Sequence, residues 1–435
     1  MTPDRRPPST SLPQPSGPRP PADPSSVLSA ELVVVIRAEI QANPDRRITF
    51  ARYMELALYE PDLGYYRQPA DRPTDAGDFL TSPETHAIFG WTVARRIESM
   101  WAELGRPRPF DLIEYGAGSG TLALSILDGL RRHGAADRQA ADLLAAIRYE
   151  PVESNPYRLS DLRERFERAG LAETLATANS NESARGTASR EAVPVTGVIL
   201  ANEFLDALPV HRFVIRGGKL LELYVAWRDG FVEIAGEPST PELEGRIAED
   251  GLDVKQLAEG QVGEISLGLG EWLRGVATRL AAGYVVAIDY GHAAAELYGP
   301  RRLAGTLLGY RGHRVVENPF DAPGRVDLTA HVDFTALERL AAAGGFRTVS
   351  STSQSEFLVA AGLEEELRTL QSSPDLTLAD YTRARSGIVR MLDPRHMGRF
   401  RVLILERVWG GGRIARFRAR PIRAERPRQA ADPRL

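Results

Sequence analysis

Two short segments bring glycines and carboxylates together where backbone and charge can act on a ligand. In IEYGAGSGTLA, Gly116, Gly118 and Gly120 stand between a strand-like and a helix-like run, so backbone can approach a ligand closely and free N–H groups at the helix start face it. The spacing is G-x-G-x-G. The dinucleotide fingerprint asks for G-x-G-x-x-G, and Thr121 occupies its last position here, which weakens a pyrophosphate reading without removing it. Glu114, two residues before the first glycine, would repel a pyrophosphate but suits a ligand carrying an ammonium or sulfonium charge. That preference favours S-adenosylmethionine. Glu153 ends the next strand-like segment, where a carboxylate can accept both ribose hydroxyls of a nucleoside. Glu150 competes for the role from the opposite side of the strand, and Glu153 is preferred because it is terminal.

The second segment is ANEFLDALPV, with Asn202, Glu203, Asp206 and Pro209 following an apolar run. In open α/β sheets ligands bind beyond the carboxyl ends of strands, so polar groups there are placed for chemistry. Two carboxylates three residues apart on a turn can face one cavity. Helix capping, with Asn202 as N-cap and acids favoured by the dipole, accounts for the same residues. Further on, His313, Asp327, His331 and Asp333 crowd an apolar frame. Their spacing fits no metal motif, so no metal is expected, and Asp333 before FTALERL reads as an N-cap. GAGSGT lacks the G-x-S-x-G spacing of a serine hydrolase. With no cysteine in the chain, thiolate metal sites, disulfides and cysteine nucleophiles are excluded.

Elements of alternating type must position these groups. DLIEYG (111–116), IRYEPVE (147–153), GVILANE (197–203) and GYVVAIDYG (283–291) read as strands, with helices over 121–130 and 156–169 between the first three. Strand, helix and strand in succession predict parallel pairing and a doubly wound sheet. Residues 28–60 read as helical. The interval 210–275 differs: short alternating runs broken at Gly217-Gly218 and Asp229-Gly230 predict an antiparallel insertion, which either covers a sheet edge or walls the cleft.

The chain has 435 residues, 43% hydrophobic and 26% charged, with a net charge of -4. That composition is globular, and its charge gives no overall attraction to nucleic acid. The first 27 residues are rich in Pro and Ser and read as a disordered tail, as does the Arg-rich stretch 410–435. Between them the expected divisions are a helical region 28–105, a cofactor-binding core 106–209, the insertion 210–275 and the rest of the core 276–409. No apolar run spans a bilayer, no secretory h-region precedes Val33, and the early prolines oppose a transit helix, so a cytoplasmic protein without stable membrane insertion is expected.

Together the motifs resemble the MidA family of class I S-adenosylmethionine-dependent methyltransferases. The matching stretches are ITFARYMELALYEPDLGYY, GDFLTSPETHAIFG, IEYGAGSG, GVILANEFLDALPVHRF, VVAIDYGH, GTLLGYRGH, PGRVDLTAHVDFTAL and MGRFRVLIL, spread over residues 48–406. The resemblance implies an α/β fold, a Rossmann-like doubly wound sheet with an antiparallel insertion and a helical N-terminal region. It implies S-adenosylmethionine held by Glu114, Gly116, Gly118, Gly120, Glu153 and Asn202. The implied reaction is arginine N-methylation of a protein, with a subunit of NADH–quinone oxidoreductase as client through the mitochondrial members of the family. An oligomer is left open. Glu203 and Asp206 are the expected orienting and proton-accepting pair, with His331 or Asp333 as second choice. An RNA or small-molecule methyltransferase and a noncatalytic assembly factor are the alternatives. Tyr115, the SPETH segment and the polar run NSNESARGTASREA depart from the usual family pattern.

Overall fold

The computed structural model describes residues 24–69, 81–176, 193–312, 314–374 and 376–407. Residues 1–23 of the expected tail 1–27, all of the tail 410–435, the polar run 179–192, His313 and residues 77–80 of the GDFLTSPETHAIFG stretch lie outside the described residues, while residues 24–27 belong to a helix rather than a disordered tail.

A six-stranded sheet organises the core. Its strands are β1 (Phe110–Tyr115), β2 (Ile147–Val152), β3 (Val195–Asn202), β4 (Leu280–Asp289), β5 (Arg347–Ser353) and β6 (Arg401–Arg407), in the spatial order β5-β6-β4-β3-β1-β2. The pairs β1–β2, β1–β3 and β3–β4 are parallel. The pairs β6–β4 and β5–β6 are antiparallel. The central strands read as unbroken apolar runs because both faces are covered. Phe110, Leu112, Val198, Leu200, Val286 and Ile288 enter one core cluster, while their neighbours Ile113, Tyr115, Ile199, Ala201, Val285 and Ala287 enter another on the opposite face, as the two-residue period of a strand requires.

Helices Ile88–Glu103 and Thr121–Gly134 cover the first face. They cross closely: a Cβ on Gly129 would lie 2.8 Å from Trp91 Cα, and one on Gly90 would lie 2.1 Å from Ser125 Oγ. Helices Gly268–Arg279 and Phe334–Ala343 cover the other face through Leu269, Trp272, Phe334 and Leu337. Helices thus flank both sides of a mainly parallel sheet.

The strands His211–Arg216, Lys219–Trp227 and Phe231–Gly236 form an antiparallel meander, and Val262–Ile265 pairs with the first of them. Arg47–Thr49, from the N-terminal region, extends this second sheet beside residues 224–226. Among the described residues none of these strands pairs with the six-stranded sheet; Val210 and Val225 instead share a core with Leu32, Ile36, Phe50 and Tyr53.

The helical expectation over 28–60 resolves into helix Pro24–Ala42, the strand Arg47–Thr49 and helix Phe50–Tyr59. The break follows from Asn43-Pro44-Asp45, where Asn43 Oδ1 accepts the Asp45 N–H at 3.0 Å, an Asx turn that competes with helix. Thr49 Oγ1 then accepts the Arg52 N–H at 3.1 Å and starts the next helix as its N-cap.

Candidate active site

The glycine loop leaves β1 and turns into helix Thr121–Gly134 with Gly116, Gly118 and Gly120 at φ 69°, 54° and 78°. Glycine reaches this left-handed region without the cost a Cβ imposes. The three positions differ in what a side chain would meet. A Cβ on Gly120 would come within 2.9 Å of Leu162 Cγ, and one on Gly116 within 3.1 Å of Phe204 Cδ2, so both serve packing. At Gly118 the nearest atom is Arg158 Nη1 at 3.6 Å, which makes this the loop's open side. Arg165, on helix Pro156–Arg168, holds the loop from outside by donating to Ser119 Oγ at 2.6 Å and Thr121 Oγ1 at 3.0 Å.

Glu153 follows the end of β2, and its carboxylate accepts the Gly118 and Asn155 N–H groups, both at 2.8 Å. Asn155 in turn caps helix Pro156–Arg168 through Oδ1 and donates from Nδ2 to the Gln68 carbonyl at 2.8 Å. The Arg67 guanidinium donates to the Ser154 carbonyl. A strap from the N-terminal region therefore lies on the turn that carries Glu153. Glu150 points elsewhere and pairs with Arg279. Glu114 is buried and accepts the Tyr149 hydroxyl at 2.6 Å; burial pushes its carboxyl up to about 8.

At the end of β3 the chain makes a sharp turn. Asn202 is the last strand residue, and Glu203 adopts φ 48°, an uncommon conformation for a residue with a Cβ. The turn is not capped by Asn202, as the capping reading supposed. Asp289, at the end of β4, supplies the cap: its Oδ2 accepts the N–H groups of Phe204 at 3.1 Å, Leu205 at 2.9 Å and Asp206 at 3.3 Å, while Oδ1 accepts that of Tyr290 at 2.9 Å. The bonds from Leu205 and Asp206 are buried and those from Phe204 and Tyr290 part-buried, and each buried group left unpaired costs about 1–3 kcal/mol. Asp289→Ala should therefore lower unfolding stability by at least about 3 kcal/mol in a denaturant titration, and a loss below about 1 kcal/mol would show that water replaces the carboxylate.

Glu203 accepts the Ser82 N–H at 3.1 Å and Asn202 Nδ2 at 3.3 Å. Ser82 opens the short helix Ser82–Thr85, so SPETH reaches the reaction end of the sheet. Asp206 is buried, with Oδ2 accepting the Tyr290 hydroxyl and Oδ1 without a hydrogen-bond partner among the described residues. Three acids thus share one desolvated spot. Desolvation and the Asp206 charge push Glu203 up to about 8. Desolvation lifts Asp206 to about 6 even though the Tyr290 bond opposes it. Desolvation, then Asp206 and Glu203, raise Asp289 well above the carboxylate range. A cation entering this spot relieves all three.

His331 packs edge-on against the Tyr290 ring at 5.4 Å, one ring removed from Asp206, and burial holds it down at about 4, so it is neutral at pH 7. Asp333 does not join the cluster. It caps helix Phe334–Ala343, accepting the Ala336 N–H at 3.0 Å in the role the N-cap reading expects, and its carboxyl lies beside Asp250. Several neighbours were not singled out from the sequence: Tyr59, Tyr66, Ser82, Arg165, Asp289 and Tyr290. Tyr59, Tyr66 and Ser82 fall in the quoted N-terminal stretches and Asp289 and Tyr290 in VVAIDYGH, so the family motifs were the available signal for all but Arg165.

A parallel sheet, a glycine turn at the end of its first strand and acids at the ends of the next strands define an α/β enzyme built around a nucleoside-type cofactor. Residues 92–352 match the family model described as "Putative S-adenosyl-L-methionine-dependent methyltransferase". This chain belongs to that family, and its cofactor is S-adenosyl-L-methionine. It is 29% identical over 380 residues to the mitochondrial protein arginine methyltransferase NDUFAF7 homolog of Drosophila melanogaster, covering 82% of this chain and 81% of that one. The mitochondrial protein arginine methyltransferase NDUFAF7 of Mus musculus is 28% identical, with 84% and 83% covered. A crystal structure from Burkholderia thailandensis, of a superfamily member bound to S-adenosyl-homocysteine, superposes with a TM-score of 0.75 at 28% identity, covering 93% of this chain and 97% of that one. Both curated relatives are mitochondrial, which overturns the expectation of a cytoplasmic protein.

The residues present fit the cofactor. The open side of Gly118 admits close approach to backbone, Glu153 Oε2 keeps a lone pair beyond the Gly118 N–H it accepts, and Asn202 Oδ1 is buried without a hydrogen-bond partner among the described residues.

Proposed function

We propose that this enzyme methylates arginine nitrogen in a protein, as the names of its relatives state for them. The observation that carries the reading is the cluster of Glu203, Asp206 and Asp289 at the end of the parallel strands, all three raised by burial, with the Asp206 charge raising Glu203 and both of them raising Asp289. When bound, S-adenosyl-L-methionine supplies a methyl group on a sulfonium. Gly118 and Glu153 would hold its nucleoside, Gly116 and Gly120 would shape the loop that does so, and Glu114 and Asn202 would face its charged amino-acid end. Glu203 and Asp206 orient the guanidinium and offset the repulsion between two cations in a site of low dielectric constant. Glu203 or Asp206 would accept the proton that the guanidinium nitrogen gives up on receiving the methyl group. The client suggested by the family resemblance is a subunit of NADH–quinone oxidoreductase.

The proton acceptor must be unprotonated, so kcat/KM falls by about tenfold per pH unit below the pKa of that group in the free enzyme. If Glu203 accepts, the profile bends at about 8; if Asp206 accepts, it bends at about 6. A profile flat from pH 5 to 9 removes both.

The decisive experiment incubates the purified protein with methyl-labelled S-adenosylmethionine and lysate of a strain lacking the gene, divided between protease and ribonuclease. Label lost with protease and located on arginine by mass spectrometry supports the proposal. Label lost with ribonuclease, or placed on another residue type, overturns it.

A further inference from the structure

Beside the three acids lies a group of residues from distant parts of the chain that the reaction as described does not use. Asp327 is 9% exposed and accepts the Tyr66 hydroxyl at 2.6 Å. Tyr66 stacks on Tyr59, ring centroids 5.5 Å apart and planes 26° from parallel, and the Tyr59 hydroxyl donates to the Ala207 carbonyl at 2.9 Å. Tyr310 is the register partner of Asp327 across the antiparallel pair formed by Leu308–Arg311 and Asp327–Thr329. The charges of Asp206 and Asp327 both act on Tyr59, Tyr66 and Tyr310. Asp206, 5% exposed, has Oδ1 without a hydrogen-bond partner among the described residues, while its Oδ2 accepts the Tyr290 hydroxyl.

The geometry points to Asp206 and Asp327, with the rings of Tyr59, Tyr66, Tyr290 and Tyr310, as the seat of the acceptor guanidinium, with Tyr66 and Asp327 selecting guanidinium over ammonium. This assignment rests on the arginine reading above and adds the subsite to it. The chemistry matches a planar, delocalised cation. A guanidinium presents five N–H donors in a rigid fork, which can serve two carboxylates at once, and its face packs on aromatic rings. An ammonium is a compact point charge that gains less from flat walls and gives up more hydration. Burial holds the Tyr59, Tyr66 and Tyr290 hydroxyls well above their ordinary range, so all three remain neutral donors at any pH the enzyme meets.

The test uses the full chain saturated with S-adenosylhomocysteine and two small probes of equal charge, ethylguanidinium and ethylammonium, with dissociation constants from NMR titration. The unaltered protein should bind ethylguanidinium at least tenfold more tightly than ethylammonium. Asp327→Asn should lose at least tenfold in ethylguanidinium affinity and Tyr66→Phe a smaller, measurable amount, with S-adenosylhomocysteine affinity unchanged in both as the control for folding. Equal binding of the two probes to the unaltered protein, or unchanged ethylguanidinium binding in both variants, overturns the assignment. Failure of the arginine reading shows separately, in where the methyl label lands.

Discussion

Glu203→Gln should bind S-adenosylmethionine as tightly as the unaltered enzyme and transfer its methyl group at least about 100-fold more slowly, the usual loss on removing a positioned proton acceptor. The substitution is nearly isosteric. Its amide oxygen can still accept the Ser82 N–H that the carboxylate accepts now, so the turn at φ 48° should persist. What disappears is a group that can become negative beside the entering cation, and with it a proton sink. A guanidinium keeps its proton to above about pH 12, so the nitrogen lone pair needs a base beside it as the new bond forms. Calorimetric affinity for the cofactor and label transfer to protein, measured on one preparation, separate the two effects. Transfer within threefold of the unaltered rate would move the role to Asp206.

Gly118→Val should weaken S-adenosylmethionine by at least about 30-fold, because its methyl groups fill the loop's open side where backbone must approach the ligand. A β-branched residue in the left-handed region should also cost the fold about 1–3 kcal/mol, but without a clash, since the atom nearest the new Cβ is Arg158 Nη1 at 3.6 Å. Gly120→Ala is the contrasting variant. Its methyl meets Leu162 and Phe166 within 3.2 Å, so it should lose stability before it loses affinity. Calorimetry with S-adenosylhomocysteine and a denaturant melt of each variant distinguish these outcomes, and unchanged affinity in Gly118→Val would remove the loop from the cofactor site.

The parts of the site that could be read from sequence are those in which one short segment carries both the signal and the function. Glu203 and Asp206 follow directly on an apolar run, so their place beyond a strand was evident, and the glycine loop announces its turn through residue type. Asp289 gives no such sign. It reads as the last residue of the apolar strand Leu280–Asp289, and the three N–H groups it caps lie more than eighty positions earlier. Tyr66 and Asp327 are 261 positions apart and meet only in the folded chain. Ser82 acts through its backbone N–H, a group every residue but proline carries. Strand β5, RTVSSTS, escaped notice because it is an edge strand with exposed or half-exposed positions throughout, so no apolar period marks it.

The position of β6 between β4 and β5 sets the order in which this molecule can assemble. Among the described residues β5 pairs with β6 alone, and β6 is synthesised after both strands it separates. On the ribosome the parallel half can form first, with the edge of β4 open. The glycine turn and the acids at the strand ends then exist before the sheet is closed. Such late, long-range pairing is slow and leaves an unpaired strand edge exposed in the meantime. Production of this enzyme at high temperature or high rate should therefore be limited by aggregation of a nearly complete chain, and slowing translation ahead of residue 401 would worsen the yield.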